Sequence, residues 1–150
     1  MTASIRPATA DDVATIAEFN ARLAMETEGK RLEPDVVHSG VRRAIETDRG
    51  ATYVVADEGD EVVGQLMFTR EWSDWRDGMI WWLQSVYVRD DRRGRGVFRS
   101  LLEHVVDRAK KDPDVCMLRL CVEVENRAAQ QTYRRMAFRE VGYRVYERDV

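Results

Sequence analysis

The segment VYVRDDRRGRGVFRSLL, residues 86–102, constrains the fold of this chain more than any other. An alternating apolar strand runs into a basic, glycine-bearing turn, and the turn leads directly into an amphipathic helix. The first amides of a helix have no partner within it, and the helix dipole adds partial positive charge at that end. Arg92, Arg93 and Arg95 place full charges on the same turn. The segment therefore predicts a strand–turn–helix unit with an anionic ligand at the turn.

Hydrophobic spacing divides the rest of the chain into short elements. Alternating apolar runs predict strands at residues 4–6, 51–56, 62–68, 80–88, 115–124 and 138–148, the last as one or two strands. Helical stripes predict helices after Thr9, from near Pro34, over residues 97–109 and over residues 126–136. This order, β-α-α-β-β-β-α-β-α-β(β), predicts an α/β (α+β) fold, a mixed, mostly antiparallel central sheet flanked by helices.

Two details of these elements carry further expectations. Thr9 and Asp12 are spaced as a capping-box variant at the start of the first helix. The run 115–124 is mostly apolar, which is typical of a strand near the centre of a sheet.

The composition is that of an ordinary globular protein, with 150 residues, 44% of them hydrophobic and 34% charged. This length fits one domain with a single core. The net charge of −3 argues against a general nucleic-acid binder. Since the sequence has neither a membrane-length apolar run nor a signal-peptide pattern, we expect a cytoplasmic protein with no membrane partner.

The cysteines do not suggest a disulfide or a metal site. Cys116 and Cys121 lie in one apolar run, on opposite sides of the expected strand, and therefore cannot bridge each other. His38 and His104 are far from them in sequence and show no metal-ligand spacing. We expect two buried free thiols and no metal.

Neither of the two motifs indicates a specific function when it is taken alone. The turn RRGRG lacks the third glycine of a dinucleotide fingerprint and the Gly-Lys-Ser/Thr of a P-loop, so a solvated turn is the alternative. In the second segment, ENRAAQQTYRRMAF, Asn126 is a suitable N-cap, and Ala129 and Tyr133 follow at helical spacing. A lone tyrosine at such a position is commonly a half-buried core residue.

Taken together, the two segments resemble the GNAT superfamily of N-acetyltransferases. The family's pyrophosphate motif, Gln/Arg-x-x-Gly-x-Gly/Ala, maps onto Arg93, Gly94, Arg95, Gly96, Val97 and Phe98. Its later motif, Asn-x-x-Ala-x-x-x-Tyr-x-x-x-Gly-Phe, maps onto Asn126, Ala129, Tyr133, Ala137 and Phe138. Phe98 and Ala137 stand where the family has small residues. We expect the Phe98 ring to point into the core, and Ala137 to cost about 1 kcal/mol if its left-handed conformation is kept.

The resemblance implies acetyl-CoA as co-substrate and a primary amine as acceptor, which attacks the thioester directly in a ternary complex. The backbone of Val86, Tyr87 and Val88 would bind the pantetheine arm, and the amides of residues 93–98 would bind the pyrophosphate. Asn126 and Ala129 complete the implied cofactor-binding set. Tyr133 matches the residue that protonates the departing thiolate, since a tyrosine stays protonated at neutral pH.

The two motifs do not identify the general base or the acceptor amine. Gln84 stands where many family members carry a glutamate, so Glu71 and Glu123 become the candidate bases, with a solvated surface role as the alternative for each. The loop EWSDWRDG, with Glu71, Trp72, Asp74 and Trp75, suits a cationic amine through charge and cation–π attraction. Its alternative is a packed hairpin tip or a dimer contact. Glu26 and Glu28 add an acidic rim.

These features lead us to predict a small cationic acceptor such as a polyamine, an amino sugar or an amino-acid-like amine. They are also compatible with a different class of function, a CoA-binding sensor or partner-binding domain of the same fold without catalysis. Dimers are common among members of that family, so the resemblance makes a homodimer one candidate assembly and leaves the oligomeric state open. A nucleic-acid-binding role for RRGRG has little support because the chain is slightly acidic.

Overall fold

A computed structural model describes residues 2–150 of the chain. The strands are β1 (Ser4–Pro7), β2 (Ala51–Glu58), β3 (Glu61–Ser73), β4 (Gly78–Val88) and β5 (Val115–Leu120). The α-helices are α1 (Val13–Glu28), α2 (Pro34–Glu46), α3 (Val97–Lys111) and α4 (Arg127–Arg135). Short 3₁₀ turns at Ala10–Asp12 and Asp90–Arg92 come before α1 and α3. As far as α4, this is the order that the sequence predicts. Among residues 2–150, no helix is both long and apolar enough to cross a membrane.

The strands form one sheet in the order β1-β2-β3-β4-β5. Neighbours are antiparallel from β1 to β4, whereas β4 and β5 are parallel. A parallel pair needs a long crossover connection, and α3 supplies it. The predicted mixed, mostly antiparallel sheet flanked by helices is confirmed.

Different helices cover the two faces of the sheet. On one face, Leu101 and Val105 of α3 pack with Phe68 of β3 in the larger core cluster. On the other face, Ile16 of α1 and Val41 of α2 pack in a second cluster. Because strand side chains alternate between faces, neighbouring residues on one strand enter different layers.

The start of α1 is held by a partly buried ion pair between Arg6 and Asp12. Thr9 and Asp12 form the predicted capping box, in which the Asp12 carboxylate accepts from the Thr9 amide at 2.7 Å. Asp12 is only 5% exposed and accepts two hydrogen bonds from the Arg6 guanidinium, at 2.8 and 2.9 Å. Arg6 also pairs with Asp57 of β2, so this cluster joins β1, β2 and α1.

The parallel pair opens at one end. The last paired residues of β4 and β5 are Leu83 and Leu120, and β4 then continues to Val88 beside β3 alone. Just beyond the last pair, β4 contains a bulge at which Ser85 adopts φ 49°. The opening is framed by α1, the end of β4, the chain after β5, and α4.

Four expectations about the later part of the chain are wrong. β5 ends at Leu120 instead of residue 124, and it is an edge strand whose residues are partly or fully exposed. Residues 138–148 form no strand. Cys116 and Cys121 are free, as expected, but both are exposed. Apolar alternation records the tendency to form a strand, whereas burial depends on a neighbour that the described chain does not supply.

Candidate functional site

A cavity of about 970 Å³ lies at the opening between β4 and β5. α1, α2, the end of β4, the residues after β5, and α4 contribute to its walls. The structure brings the two predicted motifs together there, although some thirty residues separate them in sequence. The predicted site residues that line the cavity are Glu26, Glu28, Gln84, Val86, Tyr87, Val88, Arg93, Phe98, Glu123, Asn126, Ala129 and Tyr133.

One wall of the cavity is an open strand edge. From Gln84 to Val88, β4 is paired with β3 on one side only, because β5 has already ended on the other. Backbone N–H and C=O groups on that side lack strand partners, and buried groups of this kind need hydrogen bonds. An extended ligand with amide groups could bind here as an additional strand.

The side chain of Gln65 on β3 stabilises the bulge in β4. This residue lies in neither of the two sequence motifs. Gln65 is fully buried, and its Nε2 donates to the carbonyl of Ser85 at 3.0 Å and to Asn20 Oδ1 at 2.7 Å. Its Oε1 has no partner among the described residues. The available signal was a glutamine inside the apolar run 62–68, where an amide needs a structural reason.

The turn before α3 leaves its amides free. Gly94 and Gly96 have φ of 74° and 86°, a left-handed conformation that side chains other than glycine adopt only with strain. Within residues 2–150, the amides from Gly94 to Arg99 donate to no acceptor, and the first turn of α3 contains no acidic residue. The start of this helix is therefore an uncapped anion site, as the sequence predicts.

The arginines of the turn contribute less charge than their number indicates. Arg92 pairs with Glu58 and Asp91, both at 2.9 Å. Arg93 pairs with Glu26 at 2.7 Å, and its amide is already used by the turn at 3.3 Å. Arg95 is exposed and forms no ion pair among the described residues. The free amides, more than the guanidinium groups, define this site.

Tyr133 is held by its aromatic neighbours. Asn126 caps α4 as predicted, accepting from the Ala129 amide at 3.2 Å. The Tyr133 ring lies edge-on to Phe98 and Phe138, with centroids 5.6 and 5.7 Å away. Burial raises the pKa of Tyr133 to about 12, so the phenol is a proton donor throughout the neutral range.

Phe98 and Ala137, which replace small residues of the family motifs, are accommodated in different ways. Phe98 packs against the core, as expected, and it also supports the Tyr133 ring. Ala137 keeps the left-handed conformation, with φ 69°, so the expected cost of about 1 kcal/mol applies.

The two candidate bases lie in different surroundings. Glu123 lines the cavity, and its carboxylate accepts from the Glu125 amide at 2.7 Å. Glu71 lies outside the cavity, further along β3, with its carboxylate 3.7 Å from Arg119. Gln84 donates to Thr69 Oγ1 at 2.7 Å, so its amide is already partnered.

The tryptophan-bearing loop lies away from the cavity. Trp72, Asp74 and Trp75 stand at the β3–β4 connection, which is at the opposite end of β4 from the glycine turn. Trp75 is 86% exposed. The role of this loop in acceptor binding stays a prediction.

Comparison with known proteins agrees with this geometry. The profile of the Acetyltransferase (GNAT) family matches residues 17–138, which include both motifs. The chain belongs to this family. Its members use acetyl-CoA, and the sequence-based assignment to the GNAT superfamily is confirmed.

Individual relatives differ in how much of the GNAT chain they match. An L-methionine sulfoximine/L-methionine sulfone acetyltransferase of Pseudomonas paraeruginosa is 34% identical over 88 residues, which are 57% of this chain and 48% of that protein. The chain thus spans about half the length of the curated relatives it matches.

Solved structures match over almost the whole GNAT chain. A possible acetyltransferase from Clostridium difficile 630 has a TM-score of 0.92 and 43% identity, covering 100% of this chain and 99% of that one. A predicted acetyltransferase with acetyl-CoA, from Clostridium acetobutylicum, has a TM-score of 0.79, covering 97% of this chain and 96% of that one. At 13% identity, the second match supports the fold alone.

Proposed function

We propose that this GNAT protein transfers an acetyl group from acetyl-CoA to the primary amine of a small acceptor. The observation that carries the proposal is a convergence of three features in one cavity. Arg93 and Phe98 at the uncapped start of α3, the open edge of β4 and Tyr133 all line it. Acetyl-CoA has a pyrophosphate, an arm with amide groups and a thioester, and these groups match the three features in turn.

On the donor side, the backbone does most of the binding. The amides from Gly94 to Arg99 would donate hydrogen bonds to the pyrophosphate, helped by the dipole of α3. The backbone of Val86 and the Val88 amide would hydrogen-bond the amides of the arm, since the Val88 carbonyl already accepts from Arg93 Nε at 2.9 Å. A backbone N–H near Val86 would then stabilise negative charge that develops on the thioester oxygen. Acetyl-CoA itself supplies the activated acyl group.

Tyr133 is the proposed general acid. With its pKa raised to about 12, its phenol keeps its proton throughout the neutral and mildly alkaline range, in which an amine acceptor begins to lose its own proton. It would donate that proton to the departing sulfur. The packing of its ring against Phe98 and Phe138 fixes the direction in which the hydroxyl points.

We favour Glu123 over Glu71 as the base. Glu123 lines the cavity, whereas Glu71 lies outside it and faces Arg119. A carboxylate at Glu123 could take a proton from the attacking amine directly or through a water molecule. Gln84 cannot accept a proton, so it would only orient the acceptor or a water.

The proposed acceptor is a small cationic amine, with an amino-acid-like compound favoured over a polyamine or an amino sugar. Glu26, Glu28 and Glu123 line the cavity together with Lys30 and Arg93. Because Arg93 already neutralises Glu26, the free negative charge is concentrated at Glu28 and Glu123. Among the relatives, the Pseudomonas paraeruginosa protein acts on amino-acid derivatives, as its name states.

The chain would act as one acetyl-CoA-binding domain, with direct attack of the amine on the thioester within a ternary complex. We propose that it does so as a cytoplasmic homodimer.

The second candidate function is a CoA-binding sensor without catalysis. It is favoured by Gln84, which stands at a position where many members carry a glutamate and whose amide is engaged by Thr69.

Two measurements test the function. Calorimetry should show acetyl-CoA binding to the parent protein, and CoA release should depend on an amine from a panel that includes amino-acid derivatives. Tyr133→Phe should bind acetyl-CoA normally but release CoA about 100-fold more slowly, because the general acid is lost. Tyr146→Phe removes an exposed hydroxyl elsewhere and should change neither value.

The outcomes separate the alternatives. Absence of acetyl-CoA binding would remove both functions. Binding with no CoA release for any amine would support the sensor. Equal release by the parent and Tyr133→Phe would remove Tyr133 as the acid.

The base is tested by a second pair of variants. Glu123→Gln should lower the rate about 100-fold near neutral pH, and Glu71→Gln should leave it within about 2-fold. The reverse ranking would return the role to Glu71.

A further inference from the structure

The part of β4 that borders the cavity has an irregular backbone. Opposite Leu66 of β3, strand β4 contributes two residues, Ser85 and Val86, instead of one. At such a bulge the extra residue has no partner in the ladder, and the strand bends. Both residues of the bulge line the cavity, so their backbone is within reach of a ligand there.

Ser85 is held in an unfavourable conformation at this bulge. Its φ of 49° is left-handed, and a residue with a Cβ adopts this conformation only at a cost. Residues of this kind persist where their surroundings fix them, and they are found often at functional sites. The contact that fixes Ser85 therefore indicates what the bulge is for.

That contact comes from a buried glutamine on β3. Gln65 is fully buried, and its Nε2 donates to the Ser85 carbonyl at 3.0 Å. The same nitrogen donates to Asn20 Oδ1 of α1 at 2.7 Å, so a second element holds the amide in place. Because a carbonyl oxygen can only accept, the nitrogen of the Gln65 amide must be the atom that faces Ser85.

The Ser85 carbonyl and the Val86 N–H belong to one rigid peptide unit. In a trans peptide these two groups lie in one plane and point in opposite directions. Gln65 holds the carbonyl on the side of β3, so the N–H is directed to the other side of β4, where β5 has already ended. An N–H in that position could stabilise negative charge on the oxygen of a bound thioester.

The hydrogen bonds of Gln65 are not the cheapest way to fill its position. Its Oε1 has no hydrogen-bond partner within residues 2–150, and a buried acceptor in this state costs free energy. Methionine would fill a similar space without a buried polar atom. What the amide adds is its grip on Ser85 and Asn20, and not packing.

We propose that Gln65 is a positioning residue for acetyl transfer, which acts through the Ser85 carbonyl to aim the Val86 N–H at the thioester oxygen of acetyl-CoA. Gln65 does not line the cavity and touches none of the reacting atoms. Its role rests on the proposed binding of acetyl-CoA in this cavity, and it extends the site to a residue behind the cavity wall.

The effect of Gln65 should fall on the chemical step more than on the binding of acetyl-CoA. A donor that is already aimed needs no reorganisation when charge develops on the thioester oxygen. Its hydrogen bond is stronger to the oxyanion than to the ground-state carbonyl, so it lowers the barrier more than it tightens binding.

The first test is infrared spectroscopy of the complex with acetyl-CoA that is isotopically labelled at the thioester carbonyl, with no amine present. In the parent protein, polarisation by the N–H should lower the carbonyl stretching frequency below that of free acetyl-CoA. Gln65→Met keeps a side chain of similar length without the amide, and it should return the frequency towards the free value.

The matched control for this test is Val105→Ala. Val105 is fully buried beneath α3, so the variant loses packing and should lower Tm. It should leave the carbonyl frequency and kcat unchanged, because it touches neither Gln65 nor the bulge. The control shows whether lost stability alone can imitate the effect of Gln65→Met.

The second test is kinetic. Gln65→Met should lower kcat about 10- to 100-fold, with the KM for acetyl-CoA changed less than about 3-fold. Combining it with Ser85→Gly should restore kcat by about 3- to 10-fold, because glycine adopts the left-handed conformation without needing support. A residue that serves only the stability of the core would show neither the split nor the rescue.

Ser85→Val tests the same peptide without altering the core, since Ser85 is only half-buried. A branched side chain disfavours the left-handed conformation while Gln65 stays in place. This variant should lose the frequency shift and lower kcat as Gln65→Met does.

Several results would overturn the proposal. These are a parent complex whose carbonyl frequency equals that of free acetyl-CoA, a frequency that Gln65→Met and Ser85→Val leave unchanged, or a double variant no faster than Gln65→Met. If calorimetry shows that the parent does not bind acetyl-CoA, the proposed function fails, and this role of Gln65 fails with it. Since the infrared test needs no acceptor amine, its outcome is separate from whether the acceptor is correctly assigned.

Discussion

The starts of α1 and α3 solve the same physical problem in opposite ways. Both helices begin with amides that have no partner inside the helix. At α1, Thr9 and Asp12 close the turn from within the chain, and Arg6 neutralises the carboxylate. At α3, no acidic residue or capping side chain is present, and Gly94 and Gly96 keep the turn open.

The closed start of α1 serves stability, and the open start of α3 serves binding. A missing cap costs a helix about 1 kcal/mol, so the open start of α3 is a local sacrifice of stability. The same free amides are what an anionic ligand needs. The chain's own side chains occupy the amides at the start of α1, whereas the amides at the start of α3 stay free for a ligand. Four experiments test whether the two helix starts have these separate roles.

The largest effect is expected from Asp12→Ala. Removing the carboxylate leaves the Arg6 guanidinium without its main partner and uncaps α1, which should cost about 3 kcal/mol of unfolding free energy. For a domain of this size, Tm should fall by about 6 to 12 °C, while acetyl-CoA affinity well below Tm should be unchanged.

The control for this variant is Asp11→Ala. Asp11 lies in the same turn but is exposed, so its loss should change stability by less than about 0.5 kcal/mol. Similar losses in both variants would mean that first-turn charge, and not the Arg6 pair, stabilises α1.

The next effect is expected from Gly96→Val. A branched side chain strains the left-handed backbone by about 1–2 kcal/mol and should redirect the free amides, lowering acetyl-CoA affinity about 10-fold. Calorimetry and thermal unfolding would measure affinity and stability separately.

Gly59→Val is the matched control, because Gly59 has φ 66° and, as at Gly96, an added Cβ would meet nothing within 4 Å. Gly59 lies in the β2–β3 turn, so this variant should lose similar stability but no affinity. Equal affinities for the two variants would argue against binding at the α3 turn.

A third, smaller effect is expected on the unfolding free energy at acidic pH. Hydrogen bonds from Arg6 hold the pKa of Asp12 below its usual value. The folded state therefore binds this proton less tightly than the unfolded state, and the stabilisation is present above the unfolded pKa, near 4, and lost as pH falls. Asp12→Ala should flatten the fall of unfolding free energy below about pH 4 by up to about 1.4 kcal/mol per pH unit. Identical acid profiles for parent and variant would contradict this linkage.

The smallest effect is expected from Arg95→Ala. Its guanidinium is exposed at the α3 turn, so its loss should weaken acetyl-CoA binding about 2- to 3-fold at low salt and hardly at all near 1 M salt. Arg42→Ala removes an exposed arginine of α2 and should have no effect. A loss of more than about 10-fold would mean that side-chain charge dominates over the amides.

Local sequence signals predicted most of what is local in this fold. The strand–turn–helix unit, the Thr9–Asp12 capping box and the Asn126 cap each depend on a few neighbouring residues, and all three occur. The two motifs also placed Tyr133 and Phe98 in one cavity, since the family order fixed how distant segments meet.

Features that depend on distant partners were not predictable in the same way. The run 115–124 and the segment 138–148 have strand-like patterns, but a pattern does not specify which strand lies alongside. Pairing between Arg93 and Glu26 was equally hidden, because both residues were read as ligand contacts. The buried Gln65 acts through Ser85, and only the structure brings those two together.

The opening between β4 and β5 also has a consequence for the dynamics of the sheet. Backbone amides that lack a strand partner exchange their hydrogens readily with solvent, and elements at the border of such a gap open first. β5 and the residues from Gln84 to Val88 should therefore exchange faster than β2 and β3. A ligand that bonds to the free edge of β4 would slow that exchange, so acetyl-CoA would act as a removable strand in the protein's own sheet.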